Sequence, residues 1–132
     1  MQIGELASFC GVSIDTVRYY EKQKLLKPSG RTGGGYRIYS GAAQKELRFI
    51  LRAKALGFTL KEIQELLSLK IDRDNQPCSS IKHLAEEKLQ NIEQKLVELT
   101  QMKQALMDIT LACCGGDEPA SSCSILDALD KD

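Results

Sequence analysis

The sequence predicts a mainly α-helical protein with one small hairpin and one long helix towards its C-terminal end. Apolar residues recur at helical spacing in several stretches of the 132 residues. Gly and Pro separate these stretches, and three consecutive glycines at 33–35 mark a place where no helix can continue. Residues 78–114 contain neither Gly nor Pro, which predicts a single long helix.

Two short helices come first. The stretch 3–10 has one apolar helical face, Gly11 interrupts it, and Ser13 is a favourable N-cap for a second helix over 14–24. Pro28 lies beyond its end. A helix, a Gly-containing turn and another helix are typical of a helix-turn-helix, whose second helix can enter the major groove of DNA.

A basic hairpin is predicted next, over residues 31–39. Its glycines disfavour a helix, whereas Tyr36, Ile38 and Tyr39 favour extended backbone. Basic residues lie on both arms, so this hairpin could straddle a DNA backbone as a wing.

Two further helices complete the N-terminal part. Ser40 caps a helix over 41–56 that Gly57 ends, and Thr59 with Glu62 forms a capping-box pattern that opens a helix over 60–69. These two helices are expected to share one core. Its predicted members are Leu47, Ile50, Leu51, Ala55, Phe58, Ile63, Leu66 and Leu67.

The long helix, predicted over 78–111 after a polar linker at 71–77, needs a partner. Residues 85, 92, 99 and 106 keep a seven-residue apolar spacing, which is the pattern of a coiled-coil seam. At about 50 Å the helix is too long to be covered by a small globule. A second copy of the chain in a two-fold dimer is the simplest cover, and another protein is the alternative.

Charge divides the chain into two halves. Residues 1–70 carry 12 Lys and Arg against 6 Asp and Glu, and the rest carry 6 against 12, so net charges of +6 and −6 cancel. A basic half joined to an acidic half indicates a polyanion partner at one end only. With no apolar stretch long enough for a membrane span, we expect a cytoplasmic protein.

Four of the five cysteines suggest a metal site in the C-terminal loop and short helix of residues 112–132. Thiolates bind soft and borderline metals, and Cys113, Cys114 and Cys123 can converge on one ion. Cys78 lies a helix length away from these three cysteines in its own chain. In an antiparallel dimer, however, it would lie beside the same three cysteines of the partner subunit. Glu118 could add an oxygen ligand. The fifth cysteine, Cys10, is expected to pack in the core, and the single histidine, His83, is expected to face solvent.

DNA contacts are expected from the second helix, the wing and the third helix. Hydroxyls and guanidinium groups there could reach base edges or phosphates. One tyrosine of the pair at 19–20 could instead pack in the core, and helical spacing favours Tyr20, which shares the apolar face of the second helix with Val17. The candidates are Ser13, Thr16, Arg18, Tyr19, Tyr20, Arg31, Tyr36, Arg37, Arg52 and Lys54.

Several motifs together resemble the MerR family of metal-responsive transcription regulators, over nearly the whole chain. They are IGELA at 3–7, GVS at 11–13, TVRYYE at 16–21, GYRIY at 35–39, LGFTLKEI at 56–63, and two adjacent cysteines followed after eight residues by CSIL. The resemblance implies a homodimer of winged helix-turn-helix domains joined by an antiparallel coiled coil. It further implies that metal binding distorts double-stranded promoter DNA so that RNA polymerase can use it.

The cysteine pattern is most similar to the zinc-responsive ZntR-like subgroup. Cys78 resembles a residue of divalent-ion sensors and argues against copper. The subgroup has a His where this chain has Glu118, which leaves Cd²⁺ or Pb²⁺, or mercury, as alternatives to Zn²⁺.

Two other classes compete with a metal sensor. The adjacent Cys113 and Cys114 could form a thiol redox switch. A drug sensor of the same family would need a larger C-terminal domain than the roughly 20 residues that follow the long helix. No His-and-carboxylate set suggests an activated nucleophile, so we do not expect an enzyme.

Overall fold

The computed structural model describes residues 1–113 and 115–131, together with the backbone but not the side chain of Ser122. The chain divides into two compact units, Met1–Lys82 and His83–Asp132. Among the described residues, no helix combines the length and the hydropathy that crossing a bilayer requires. The elements in chain order are α1 (Ile3–Cys10), α2 (Ile14–Lys22), β1 (Gly30–Arg31), β2 (Arg37–Ile38), α3 (Gly41–Ala55), α4 (Leu60–Ile71), α5 (Cys78–Ala112) and α6 (Ser124–Leu129).

The helix-turn-helix is confirmed in α1 and α2. Gly11 closes α1 in the left-handed region at φ +70°, where its N–H reaches carbonyls of the last turn of α1. Ser13 then caps α2, since its hydroxyl accepts a hydrogen bond from the Thr16 N–H at 3.1 Å. This helix ends at Lys22, two residues earlier than the sequence predicts.

The wing is also confirmed. β1 and β2 form an antiparallel pair in which Gly30 faces Ile38 and Arg31 faces Arg37. The turn between them is closed by the Gly35 N–H, which donates to the Thr32 carbonyl at 2.9 Å, with Gly35 at φ +84°. The start of the chain holds the outer edge of the wing, because Gln2 forms a bridge with Ile38.

Helices α3 and α4 supply much of the core of the first unit. The capping box is present at the start of α4, whereas Ser40 begins α3 without a side-chain capping bond to any described residue. The prediction that Ala55 lies in the core is wrong, because Ala55 is exposed and Ala53 is buried instead. The buried residues are Leu6, Ala7, Val17, Tyr20, Leu25, Leu26, Tyr39, Ala43, Leu47, Ile50, Ala53 and Ile63.

The second unit contains most of α5, which has 35 residues in all, and the short α6. Large apolar side chains on α5 remain exposed in the single chain. They include Leu89, Leu96, Leu99, Met102 and Leu106. A 3₁₀ turn over Ala120–Ser122 precedes α6, and the sequence pattern gives no sign of it.

Candidate DNA interface and thiol cluster

The first turn of α2 carries two of the predicted DNA-contacting hydroxyls. Ser13 Oγ and Thr16 Oγ1 lie 2.9 Å apart and share a hydrogen bond. Since Ser13 also accepts from the Thr16 backbone, both hydroxyls have a structural role in the free protein. Arg18, one turn further on, is exposed and lies 3.7 Å from the Asp15 carboxylate.

The two tyrosines of α2 have different environments. Tyr19 is 46% exposed, so its hydroxyl remains available to a phosphate. Tyr20 is 1% exposed and lies in the core, with its ring edge-on to Tyr19 at 5.3 Å between centroids. The prediction that Tyr20 contacts DNA is therefore corrected, because the apolar face of α2 buries its hydroxyl where DNA cannot reach it.

The wing presents two of its predicted residues to solvent. Tyr36 is 68% exposed, and Arg31 is exposed with Nη1 donating to the Gly35 carbonyl at 3.3 Å. That bond ties one arm of the hairpin to its turn. Since Arg31 keeps other donors, the bond does not prevent it from contacting a phosphate.

Arg37, the third wing residue, contacts α2. Its Nε lies 2.5 Å from Glu21 Oε1 in ion-pair contact, although the N–H is not aligned for a hydrogen bond. The same carboxylate accepts a hydrogen bond from the Tyr39 hydroxyl through Oε2. Glu21 therefore links α2 to the wing through Arg37, which lies in β2, and Tyr39, which follows β2.

Burial raises the pKa of Tyr39 to about 12, and its hydrogen bond to the negatively charged Glu21 adds to this effect. The positive charges of Arg37 and Arg18 act in the opposite direction. Both guanidinium groups are thus close enough to Tyr39 to affect its ionisation.

A small cleft of about 120 Å³ lies between α2 and the wing. Arg18 lines it from α2, and Gly35, Tyr36 and Arg37 line it from the wing. Two guanidinium groups beside an exposed tyrosine form a suitable environment for an anion. Sequence reasoning missed Glu21, and its only signal was an acidic residue in an otherwise basic segment.

The remaining predicted DNA contacts lie in the last turn of α3. Arg52 and Lys54 are both exposed there, and the Lys54 ammonium lies 5.9 Å from the centre of the Tyr20 ring. Cations at this end also complement the helix dipole. Their charge therefore has a structural use besides any contact with phosphate.

Two of the predicted thiol ligands meet in the second unit. Cys123 occupies the N-cap of α6, and the Cys113 thiol lies close enough to it to affect its ionisation. The backbone N–H groups of Leu126 and Ile125 direct their positive ends at the Cys123 sulfur, without the geometry of a regular cap bond between described residues, and lower the pKa of the thiol. Contact with Cys113 lowers it further, whereas burial and the charge of Asp127 oppose these effects.

Of the other predicted ligands, the structure describes Cys78 and Glu118. Cys78 is an exposed free thiol at the first residue of α5, and Cys114 lies outside the described residues. Glu118 folds back over Gly116, where its carboxyl group occupies the space that a side chain at 116 would need. Within residues 1–113 and 115–131, no three His, Cys, Asp or Glu groups are placed to hold one metal ion.

The two residues outside the predicted metal set have ordinary surroundings. His83 is exposed and lies 2.8 Å from Glu87, one turn along α5, an ion pair when the imidazole is protonated. Cys10 is half-buried and packs against the core of the first unit.

The helix-turn-helix, the two-stranded wing and the basic side chains around them define a DNA-binding protein of the winged helix-turn-helix class. Two family models match the chain, MerR HTH family regulatory protein over residues 1–70 and MerR, DNA binding over residues 44–109. The chain belongs to the MerR family. Its members are DNA-binding transcription regulators, so this protein is a regulator and not an enzyme.

Curated relatives are similar over nearly the full length. The chain is 42% identical over 130 residues to the HTH-type transcriptional regulator ZntR of Escherichia coli K12, covering 98% of this chain and 92% of that one. It is 38% identical to the mercuric resistance operon regulatory protein of Bacillus cereus, covering 98% and 97%. Among solved structures, PbrR691 from Ralstonia metallidurans CH34 in complex with lead(II) matches 98% of both chains with a TM-score of 0.84 and 33% identity.

Proposed function

We propose that this protein is a metal-responsive regulator that binds promoter DNA as a homodimer in the cytoplasm and activates transcription of a metal efflux or resistance gene when a divalent ion binds. The observation that carries the proposal is the proximity of two free thiols, Cys113 after the end of α5 and Cys123 at the N-cap of α6. The relatives support it, since one is named as a mercuric resistance operon regulatory protein and another was crystallised with lead(II).

Homodimer formation is supported by the apolar face of α5. Leu99 and Leu106 are more than half exposed and lie on the seven-residue seam. Isolated in water, such a face is unfavourable, because each fully buried Leu side chain contributes about 1.5–3 kcal/mol. A second α5 in antiparallel orientation covers both seams with the same residues.

That orientation would complete the metal site. Cys78 of one subunit would lie beside the Cys113, Cys114 and Cys123 of its partner, since α5 begins at Cys78 and ends one residue before Cys113. The described thiols are free, which is the state that metal binding requires. When bound, the metal would supply a link across the dimer interface and thereby bias the placement of the two DNA-binding units.

Zn²⁺ is the metal we propose first. Sulfur ligands with an accessible carboxylate suit this borderline ion, and Glu118 lies in the loop between the two thiols. Cd²⁺, Pb²⁺ and mercury are the alternatives, since they are favoured by sites with sulfur alone. Exchange of Glu118 for Gln separates these cases, because only an oxygen-ligated ion would bind more weakly to the variant.

The DNA contacts are proposed for α2, the wing and the end of α3. Ser13, Thr16, Arg18 and Tyr19 would face the major groove and its phosphates, as expected for the second helix of this motif. Arg31, Tyr36 and Arg37 would contact the flanking backbone from the wing. Arg52 and Lys54 would add phosphate contacts from α3. RNA polymerase would then recognise the promoter that the metal-bound dimer has distorted.

In vitro transcription from the regulated promoter tests the proposal directly. Each of Zn²⁺, Cd²⁺, Pb²⁺ and Hg²⁺ is supplied at a buffered free concentration, with the wild type and with Cys78→Ser. We expect metal-dependent activation that Cys78→Ser abolishes while DNA binding without metal is retained. Transcription that ignores every metal, at equal occupancy of the promoter, would contradict the proposal.

A thiol redox switch is the second candidate, because the free thiols of Cys113 and Cys123 lie near each other. Loss of two electrons and two protons to peroxide would join their sulfurs in a disulfide. A response of DNA binding to peroxide in metal-free buffer favours this function. The redox function predicts that Cys78→Ser leaves the response of DNA binding to peroxide unchanged. The metal function predicts that the same variant loses metal-dependent activation.

A further inference from the structure

Glu21 is the one described residue whose carboxylate contacts both a wing arginine and a buried wing tyrosine from α2. Its side chain is only 17% exposed, so its two contacts occupy most of its surroundings. An ionised carboxylate that is this far buried needs partners, and Arg37 and Tyr39 provide them.

Arg37 is held by one edge of its guanidinium group. Its Nε is buried against Glu21, yet the side chain as a whole is 39% exposed. The exposed area therefore lies on the rest of the side chain, which lines the cleft together with Arg18, Gly35 and Tyr36. Arg18 is itself 61% exposed.

Two guanidinium groups on one small cleft repel each other unless an anion or a carboxylate lies near them. In the free protein the Asp15 carboxylate lies beside Arg18 and the Glu21 carboxylate lies beside Arg37, and a DNA phosphate would supply the anion in the complex. An arginine that is already oriented loses less side-chain entropy on binding than a mobile one.

We propose that Glu21 is a positioning residue for DNA binding: its carboxylate holds Arg37 in the cleft so that Arg37 and Arg18 grip the phosphodiester backbone together. This inference rests on the proposed DNA-binding function and identifies how Arg37 is oriented for DNA before DNA binds. It predicts that loss of an acidic residue weakens binding to a polyanion, which is the opposite of the effect of net charge.

Salt titration of binding to a random-sequence DNA duplex tests this inference, because phosphate contacts dominate such binding. Glu21→Gln removes the charge and keeps the size, whereas Glu21→Asp keeps the charge and shortens the side chain. We expect both to weaken binding about tenfold, within the range for residues in direct contact. The slope of log K against log salt should become shallower by about 0.9 per subunit, as for the loss of one phosphate contact.

Two further variants complete the design. Arg37→Ala should reproduce the shallower slope, and adding Glu21→Gln to it should cost nothing more, because the positioned residue is already absent. Glu65→Gln removes one negative charge from an exposed position of α4 and serves as the matched control.

The outcomes separate the possibilities. Tighter binding by Glu21→Gln would show that Glu21 only repels DNA, and unchanged binding would show that it has no role there. Weaker binding with an unchanged slope and a lower melting temperature would show a structural role alone. Each of these overturns the inference. Failure of the wild type to bind DNA at all would contradict the proposed function instead.

Discussion

The thiol of Cys113 lies close enough to Cys123 to lower the pKa of the Cys123 thiol, although a Gly-rich loop separates the two residues in the sequence. Cys113 follows the last turn of α5, and Cys123 caps α6, whose N–H groups favour a thiolate there. The loop thus places two soft ligands side by side at a position that attracts negative charge.

Removal of either thiol should weaken metal binding. For Cys123→Ser we expect a loss of affinity of about 100-fold or more, since even residues behind a ligand typically change affinity by about 10–100-fold. Competition with a chelator of known affinity measures the change. Cys10→Ala is the control, because Cys10 packs against the core of the first unit. Equal affinities for wild type and Cys123→Ser would remove Cys123 from the site.

A charge on the α5 seam should separate the dimer. Leu99→Lys places two ammonium groups in the apolar seam of the proposed coiled coil, whereas Gln101→Lys adds the same charge two residues further along, off the seam. Sedimentation at micromolar protein should give a monomer for the first variant and a dimer for the second. A dimer in both cases would mean that the subunits associate through another surface.

Removing the side chain of the N-cap residue should destabilise the protein more at α4 than at α3. The Thr59 hydroxyl accepts a hydrogen bond from the Glu62 N–H at 3.2 Å, and the Glu62 carboxylate accepts one from the Thr59 N–H at 2.8 Å. Thr59→Ala should therefore lower the free energy of unfolding by about 1 kcal/mol. Ser40→Ala should cost less, since Ser40 makes no side-chain cap bond with the described residues. Urea unfolding of both variants measures this, and equal costs would contradict the capping account.

Alkaline pH should weaken the link between Tyr39 and Glu21. The pKa of Tyr39 is raised to about 12 in the folded protein, above its ordinary value of 10.0, so the folded state holds the proton more tightly. The stabilisation is complete below pH 10 and is lost as the pH rises towards 12, a change of about 3 kcal/mol.

Tyr39→Phe isolates this effect, because it removes only the hydroxyl. The difference in unfolding free energy between wild type and variant should be larger at pH 9 than at pH 11. Other ionising groups are common to both proteins and cancel in the difference. A difference that does not change with pH would mean that the Tyr39 proton is held no more tightly after folding.

Local chemistry made much of this fold predictable. Ser13 and Thr59 are caps because each hydroxyl accepts a hydrogen bond from the N–H three residues further on, and such short-range bonds can be predicted from the sequence. The glycines at 33–35 likewise define the turn of the wing. The absence of Gly and Pro gave the bounds of α5 to within one residue.

Tertiary contacts limited the prediction elsewhere. Helical spacing placed Tyr20 on the buried face of α2 with Val17, which the structure confirms, but the hydroxyl of Tyr20 still left it among the candidate DNA contacts, where it is wrong. The sequence pattern placed Ala55 in the core instead of Ala53, because a small residue gives little signal of its direction on a helix. Glu21 was missed for a different reason, as its partner Tyr39 lies 18 positions further along the chain.

The sharing of the metal site between subunits is the central claim, and complementation in a mixed dimer tests it most directly. Cys78→Ser and Cys123→Ser chains with different affinity tags are refolded together, and the mixed dimer is isolated. Each parent dimer should bind zinc weakly, whereas the mixed dimer should regain one tight site, built from the intact Cys78 of one chain and the intact Cys123 of the other. A mixed dimer as defective as both parents would show that each chain holds its metal alone.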